Sequence, residues 1–204
     1  MGVYARRIFP RLMDWVLSGE RFQQERQRTL SQAYGEVLEI GFGTGLNVPH
    51  YPPKLSWLRA VDPINMLPRR VEERASRATF PIQIQFVSAE ALPFEEARFD
   101  CAVSTFTLCS VRDPKTVLTE VRRVLKPGGL FLFLEHGRSD DAKIAKWQDL
   151  LTPVQRLIAC GCHLNRKIDT LIAQAGLSLT QLDRFRISEL PRIAAEMYRG
   201  VAIR

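Results

Sequence analysis

Seven side chains in this 204-residue sequence are of the kinds that titrate or ligate near neutral pH: His50, His136, His163, Cys101, Cys109, Cys160 and Cys162. Imidazoles suit general-base work because their pKa lies close to the operating pH. His136 follows an apolar run at 130–134 that reads as a strand, and His163 lies in the segment Cys160-Gly161-Cys162-His163-Leu164-Asn165-Arg166. These two are the candidate proton acceptors, with Asn165 and Tyr198 as orienting groups. The competing reading of His136 is a histidine that fixes a strand-to-helix turn through a backbone hydrogen bond. His50 stands among Pro49, Pro52 and Pro53 and is expected on an exposed loop. Cys160, Cys162 and His163 have a C-x-C-H spacing that is not a usual zinc arrangement, so no resident metal is expected. Cys101 reads as a small buried hydrophobe, and Cys109 either as the same, the stronger reading, or as a residue near the substrate.

A second set of residues points to a nucleotide-type ligand. Val37-Leu38-Glu39-Ile40 is a short apolar run that breaks into Gly41, Gly43 and Gly45. Glycines are needed where a backbone must bend sharply and approach a ligand closely. A dinucleotide fingerprint places glycine at the first, third and sixth places, whereas the sixth place from Gly41 is Leu46. Asp62 ends the next apolar run, 21 positions after Gly41, where a carboxylate can accept hydrogen bonds from both hydroxyls of a ribose, with capping of the following helix as the competing reading.

Elements that would position these residues follow from periodicity. Strands are expected at 36–40, 56–61, 82–87, 99–104, 130–134, 177–184 and 197–203, the last closing the sheet in antiparallel sense. Helices are expected at 64–75 after Pro63, after Asp113-Pro114 with an inner face of Val117, Leu118, Val121, Val124 and Leu125, and at 167–175. Lys126-Pro127-Gly128-Gly129 would stop the second of these. A further helix at 143–159, with Trp147, Leu150, Leu151, Val154 and Leu157 as its apolar face, is expected to be interrupted at Pro153. The segment 140–175 then reads as a helical insertion for substrate recognition. Strand-then-helix alternation specifies an α/β fold, a doubly wound Rossmann-like sheet that is mostly parallel with an antiparallel last strand. In such sheets ligands bind beyond the carboxyl ends of the strands, and Glu39, Gly41, Asp62, Ser88, Thr105 and His136 all fall there.

Residues 1–31 are read as an N-terminal helical lid ahead of one domain at 32–204. Ile8, Leu12, Trp15 and Val16 would face the core, with a break at Ser18-Gly19. Arg6, Arg7 and Arg11 beside Tyr4 and Phe9 make peripheral membrane contact the competing reading of this segment. The net charge of +7 is spread among acids with no basic run and no aromatic-basic module, so nucleic acid is not an expected partner. Four cysteines do not make a secretory framework at this size, which implies a reducing cytoplasm. No apolar run reaches the roughly 18 residues of a membrane span, and Met1-Gly2-Val3-Tyr4-Ala5-Arg6 lacks a myristoylation signal, so a soluble or peripheral protein is expected.

The pattern E-x-G-x-G-x-G from Glu39, together with Asp62, Ser88-Ala89-Glu90 and Leu125-Lys126-Pro127-Gly128-Gly129, resembles the class I S-adenosylmethionine-dependent methyltransferases. The resemblance implies S-adenosylmethionine as cofactor, held by Glu39, Gly41, Gly43, Gly45, Asp62, Met66, Ser88, Ala89, Glu90 and Thr105. Asn65 and Met66 would flank the adenine, and Ser88 stands where the family often has an aspartate. Thr107-Leu108-Cys109-Ser110-Val111, Glu135-His136 and the 161–166 segment resemble the small microsomal alkyl-thiol methyltransferases and their bacterial relatives. That implies a small-molecule or lipid acceptor, ranked thiol, then quinone ring carbon, then phospholipid amine, with His136 beside the transferred methyl group. Two other classes share the pattern in part: a nicotinamide-dependent oxidoreductase, and a protein that binds S-adenosylmethionine without catalysis.

Overall fold

Strand β1 (Glu36–Ile40) lies in the interior of the sheet, with its apolar residues Val37, Leu38 and Ile40 covered on both faces. The computed structural model describes Tyr4 and residues 8–204. Around β1 are β2 (Trp57–Val61), β3 (Ile82–Gln85), β4 (Phe99–Thr105), β5 (Leu125–His136), β6 (Ser178–Arg186) and β7 (Glu196–Ile203), in the order β3-β2-β1-β4-β5-β7-β6. Pairings are parallel from β3 through β5, while β7 pairs antiparallel with both β5 and β6. The expected doubly wound sheet is therefore present. The last strand does not close it, however: β7 lies inside, and β6 is the edge.

The crossover helices build the two covering layers. On one face Leu118 and Val121 of α4 (Pro114–Val124) and Ile172 of α6 (Ile168–Gln174) pack with Leu38, Ile40, Phe131 and Phe133. On the other, Leu30 of α2 (Glu20–Leu30) and Val71 of α3 (Pro68–Ala75) join Val37, Leu58, Cys101 and Leu132. Helix α4 starts where the sequence places it, since the Asp113 side chain accepts hydrogen bonds from the Lys115 and Thr116 amides.

Several boundaries differ from expectation for identifiable reasons. Helix α3 begins at Pro68 rather than at residue 64, because Leu67 takes a left-handed φ of 46° that no helix continues, so Met66 lies on a loop. Strand β5 begins at Leu125 and takes in residues 126–129; Phe99 pairs with Leu125, and after a register shift Cys101 pairs with Leu130. A Cβ on Gly129 would stand 2.9 Å from the Lys126 carbonyl oxygen and 3.1 Å from that of Asp100, so the glycine pair serves the bulge rather than a stop. Helix α5 (Ala142–Ile158) passes through Pro153 without a break.

The largest correction concerns which way two helices face. In α1 (Phe9–Leu17) the buried residues are Pro10 and Asp14, while Leu12 and Trp15, with Ile8 just ahead, are exposed. In α5, Ala145, Gln148 and Thr152 are buried and Trp147, Leu150, Val154 and Leu157 are exposed. Arg6 and Arg7 lie outside the described residues. No helix of the described residues is long and apolar enough to cross a membrane.

Candidate functional site

The topological switch between β1 and β4 opens a crevice at the carboxyl ends of the strands, and the glycine loop fills its floor. Gly41, Gly43 and Gly45 all have left-handed φ, at 74°, 58° and 79°. A Cβ on Gly41 would meet Thr107 Oγ1 at 2.0 Å, so only glycine lets the loop and the turn after β4 come together. A Cβ on Gly43 would meet nothing within 4 Å, which leaves that face of the loop open to a ligand.

Asp62, at the tip of β2, accepts hydrogen bonds from the Gly43 and Ile64 amides, both at 2.9 Å. Burial raises its pKa and these two bonds oppose the rise. Each carboxylate oxygen keeps a further lone pair, enough for two ribose hydroxyls. Ser88 is exposed near the end of β3 and Ala89 is buried beneath it. Glu90 turns away to accept a hydrogen bond from the Asp113 amide at 2.9 Å, tying this segment to the start of α4. Half-buried Met66 sits on the loop after Asp62. The open glycine face, the two spare acceptor positions on Asp62 and the exposed Ser88 fit an adenosyl group.

Glu39 and Thr105 belong to a buried polar network that the sequence does not announce. Asn47 Nδ2 donates to Glu39 Oε1 at 2.8 Å and to Thr105 Oγ1 at 3.0 Å, and the Tyr51 hydroxyl donates to Glu39 Oε2 at 2.8 Å. Arg26, from α2, donates to Asn47 Oδ1 at 2.7 Å and to Thr105 Oγ1 at 3.1 Å, and its guanidinium lies 5.2 Å from the centre of the Phe106 ring. Burial pushes Glu39 up to about 7, against the hydrogen bonds of Tyr51 and Asn47 and the charge of Arg26. Burial likewise pulls Arg26 down to about 10, against the charge of Glu39. From α1, Asp14 accepts hydrogen bonds from Thr44 at 2.5 Å and from Arg74 at 2.6 Å, with Arg70 as a further partner. Burial alone would lift the Asp14 pKa, but the hydrogen bonds of Arg74 and Thr44 and the charges of Arg74 and Arg70 hold it low. Two buried charges thus fasten the first two helices to the crevice.

At the far wall the turn after β4 meets the end of β5 and the loop after α5. Glu135 Oε1 accepts hydrogen bonds from the Ser104 hydroxyl at 2.6 Å and from the Thr107 and Leu108 amides at 3.0 Å each, holding the turn. Burial lifts Glu135 to about 7, helped by the negative charge of Cys109. His136 Nε2 stands 2.9 Å from Cys162 Sγ. Cys109, His136 and Cys162 form one buried cluster, their ligand atoms all within 4.8 Å of one another. A hydrogen bond from Cys162 draws the Cys109 pKa well below the usual thiol value, over the opposition of burial and with the help of His136. Burial acts to lower the His136 pKa, but the charge and hydrogen bond of Cys109 outweigh it and raise the value. His163 does not join the cluster: its backbone N–H donates to the Cys109 carbonyl at 2.8 Å, and its Nδ1 lies 3.2 Å from the same oxygen. Asn165 bonds Asp149 and Tyr198 bonds the Arg138 carbonyl, so neither orients an imidazole.

Asp14, Arg26, Asn47 and Tyr51 escaped the sequence reading. No local signal marks Asp14: it lies on the face of α1 opposite the apolar residues Ile8, Leu12 and Trp15, and only its partners Thr44, Arg70 and Arg74 show that this is the buried face.

Comparison with known proteins bears on the whole arrangement. Residues 38–133 match a family model described as a methyltransferase domain. The human thiol S-methyltransferase TMT1B is 32% identical over 193 residues, covering 86% of this chain and 78% of that protein. The rat thiol S-methyltransferase TMT1B is 35% identical over 151 residues; the match covers 72% of this chain and 62%, less than two thirds, of the rat protein. Among solved structures, the N-methyltransferase NodS from Bradyrhizobium japonicum, in complex with S-adenosyl-l-homocysteine, has a TM-score of 0.69 at 18% identity, covering 93% of this chain and 90% of that one. A glycine loop open at Gly43, a ribose-competent Asp62 at the tip of β2 and relatives of this extent agree, and the chain belongs to the class I S-adenosylmethionine-dependent methyltransferases.

Proposed function

We propose that this chain methylates the sulfur of a small thiol. The observation that carries the reading is the buried cluster of Cys109, His136 and Cys162, fixed against the same turn whose Thr107 packs on Gly41. S-adenosylmethionine supplies a methyl group on a positively charged sulfur. Its adenosine would be held by Asp62, Met66, Ser88 and Ala89, and the remainder by Gly41, Gly43, Gly45, Glu39 and Thr105. Glu90 supports that wall from behind. Because displacement at carbon is in line, alignment of donor and acceptor supplies most of the rate, and the turn clamped by Glu135 sets that line. The thiol must also lose its proton, a task assigned to the His136 side of the site, with His163 setting the position of Cys109. Nothing in the reaction calls for nucleic acid.

A lipid acceptor is the second reading, favoured by the outward apolar faces of α1 and α5. The Tyr4 hydroxyl donates to the Ile158 carbonyl at 2.7 Å, so the start of the described chain meets the end of α5. Trp15, Trp147, Leu150, Val154 and Leu157 then suit a peripheral contact with a membrane from the cytoplasmic side.

The test is incubation of the full chain with S-adenosylmethionine and, in parallel, short alkyl thiols, a quinol and phosphatidylethanolamine vesicles, with products read by mass spectrometry. Thioether formation that disappears in Asp62→Ala supports the first reading. Methylated lipid or quinol without any thioether would replace it.

A further inference from the structure

Three side chains that the sequence keeps apart arrive in one buried place. Cys109 comes from the turn after β4, His136 from the last position of β5 and Cys162 from the loop after α5. Their candidate ligand atoms all lie within 4.8 Å of one another, and no carboxylate oxygen joins the group among the described residues. A zinc ion bound at about 2.3 Å to sulfur and 2.0 Å to imidazole nitrogen sets its ligands about 3.6 Å apart. The His136–Cys162 separation of 2.9 Å would open by well under 1 Å to reach it.

The surroundings fix this spacing. Arg166 donates to the Leu108 carbonyl and, at 2.8 Å, to that of Val111, while His163 holds the Cys109 carbonyl through its backbone N–H. The loop carrying Cys162 is thereby pinned to the turn carrying Cys109 without use of either sulfur. Phe106 and Cys160 both take left-handed φ, 54° and 49°, three and two residues from these cysteines. Such strain persists only where surrounding contacts impose it, and both thiols are buried. His136 Nε2 is the ring nitrogen that meets Cys162 Sγ and is the ligand atom, while Nδ1 is buried with no hydrogen-bond partner among the described residues. Two sulfurs and an imidazole, buried and convergent, are a soft-to-borderline donor set that suits zinc over magnesium or calcium.

We propose that Cys109, His136 and Cys162 bind one zinc ion as three protein ligands, and that the fourth position takes the sulfur of the acceptor thiol. The second half rests on the thiol reading above; the metal site itself does not. Zinc with three protein ligands keeps one exchangeable position, and a coordinated thiol is held as its thiolate at neutral pH. On binding, the acceptor S–H proton leaves to solvent and its sulfur joins the ion. The new C–S bond then forms as the S–CH3 bond of S-adenosylmethionine breaks, and the electron pair of that bond stays on the departing sulfur, which becomes neutral. The methylated product, a weak ligand, dissociates. His136 thus acts on the acceptor proton as a ligand rather than as a free base.

The experiment uses the full chain, purified in reductant without a metal-chelating column and titrated with Zn2+ and Co2+. One equivalent is expected to bind, with tetrahedral ligand-field bands and a sulfur-to-cobalt charge-transfer band. Cys160→Ser, at the exposed neighbouring cysteine, should leave both unchanged, whereas Cys162→Ser and His136→Gln should weaken binding by at least about 10-fold. Where a variant fails to fold by circular dichroism, the unmodified chain still decides, because a sulfur-free or octahedral cobalt spectrum overturns the site. Adding a short alkyl thiol should shift the charge-transfer band. No shift overturns the open position even if the ion binds. Thioether formation at full rate after complete zinc removal would overturn the zinc role while leaving the methyl-transfer reading intact.

Discussion

Helices α4 and α5 both carry apolar residues at helical spacing, and they turn them in opposite directions. In α4, Val117, Leu118, Val121 and Val124 are each 0% exposed. In α5, Leu150 is 65% and Leu157 82% exposed, while Gln148 is 0% exposed. Periodicity therefore reports that a helix has an apolar face and says nothing of where that face points. The polar residues decide the orientation. Gln148 donates to the Gly137 and Ile193 carbonyls and accepts from the Ser139 amide, so its whole amide is used inside. Asp14 does the same for α1 with Thr44, Arg70 and Arg74.

If this comparison holds, Leu118→Ala should cost about 2–5 kcal/mol of unfolding free energy through transfer and cavity terms. Denaturant titration measures it, and a loss below 1 kcal/mol would mean that the α4 face is not the tighter one. Gln148→Leu should cost about 1–3 kcal/mol despite being more apolar, because three backbone groups lose their partner. A stabilised Gln148→Leu protein would sink the claim that polar anchoring orients α5.

Glu39 sharpens the contrast between a neutral anchor such as Gln148 and an ionisable one. Its folded pKa, about 7, is above its unfolded value near 4.5, so the folded chain keeps a proton that the unfolded chain has released. Glu135 behaves alike. Their contribution to stability is fully present below the unfolded value and is lost as pH rises from about 4.5 to 7. Denaturation midpoints across that window should fall with pH, and Glu39→Gln should flatten the slope; an unchanged slope would rule Glu39 out as a source. The smallest effect belongs to Leu157→Ser, expected within about 0.5 kcal/mol of the parent. The same change, made together with Leu150→Ser, should reduce co-sedimentation with anionic vesicles, and equal binding would leave the α5 face without a lipid role.

Much of the cofactor side was legible because its signals are local. β1 matches its apolar run at both ends, and β2, β4 and β7 fall within a residue of theirs; the left-handed glycines follow from one short segment. The acceptor side depends on convergence over distance: Cys109, His136 and Cys162 are separated by 27 and 26 positions. Nothing in their spacing distinguishes this meeting from three buried side chains. Arg26 reaches Asn47 and Thr105 from the N-terminal segment that reads as an amphipathic lid. The extension of β5 through residues 126–129 needed a register shift on β4 that no local pattern records.

The interior position of β7 has a consequence for the order in which the chain folds. Residues 196–203 lie between β5 and β6, pairing Met197 with His136 on one side and with Phe185 on the other. Until that segment has been synthesised, β6 has no neighbour in the sheet and β5 presents an open edge to other chains. The first five strands need no residue beyond 136 to pair among themselves, so the crevice floor depends on the C-terminal segment less than the far wall does. A truncation before residue 196 should leave β6 without a neighbour and the β5 edge open.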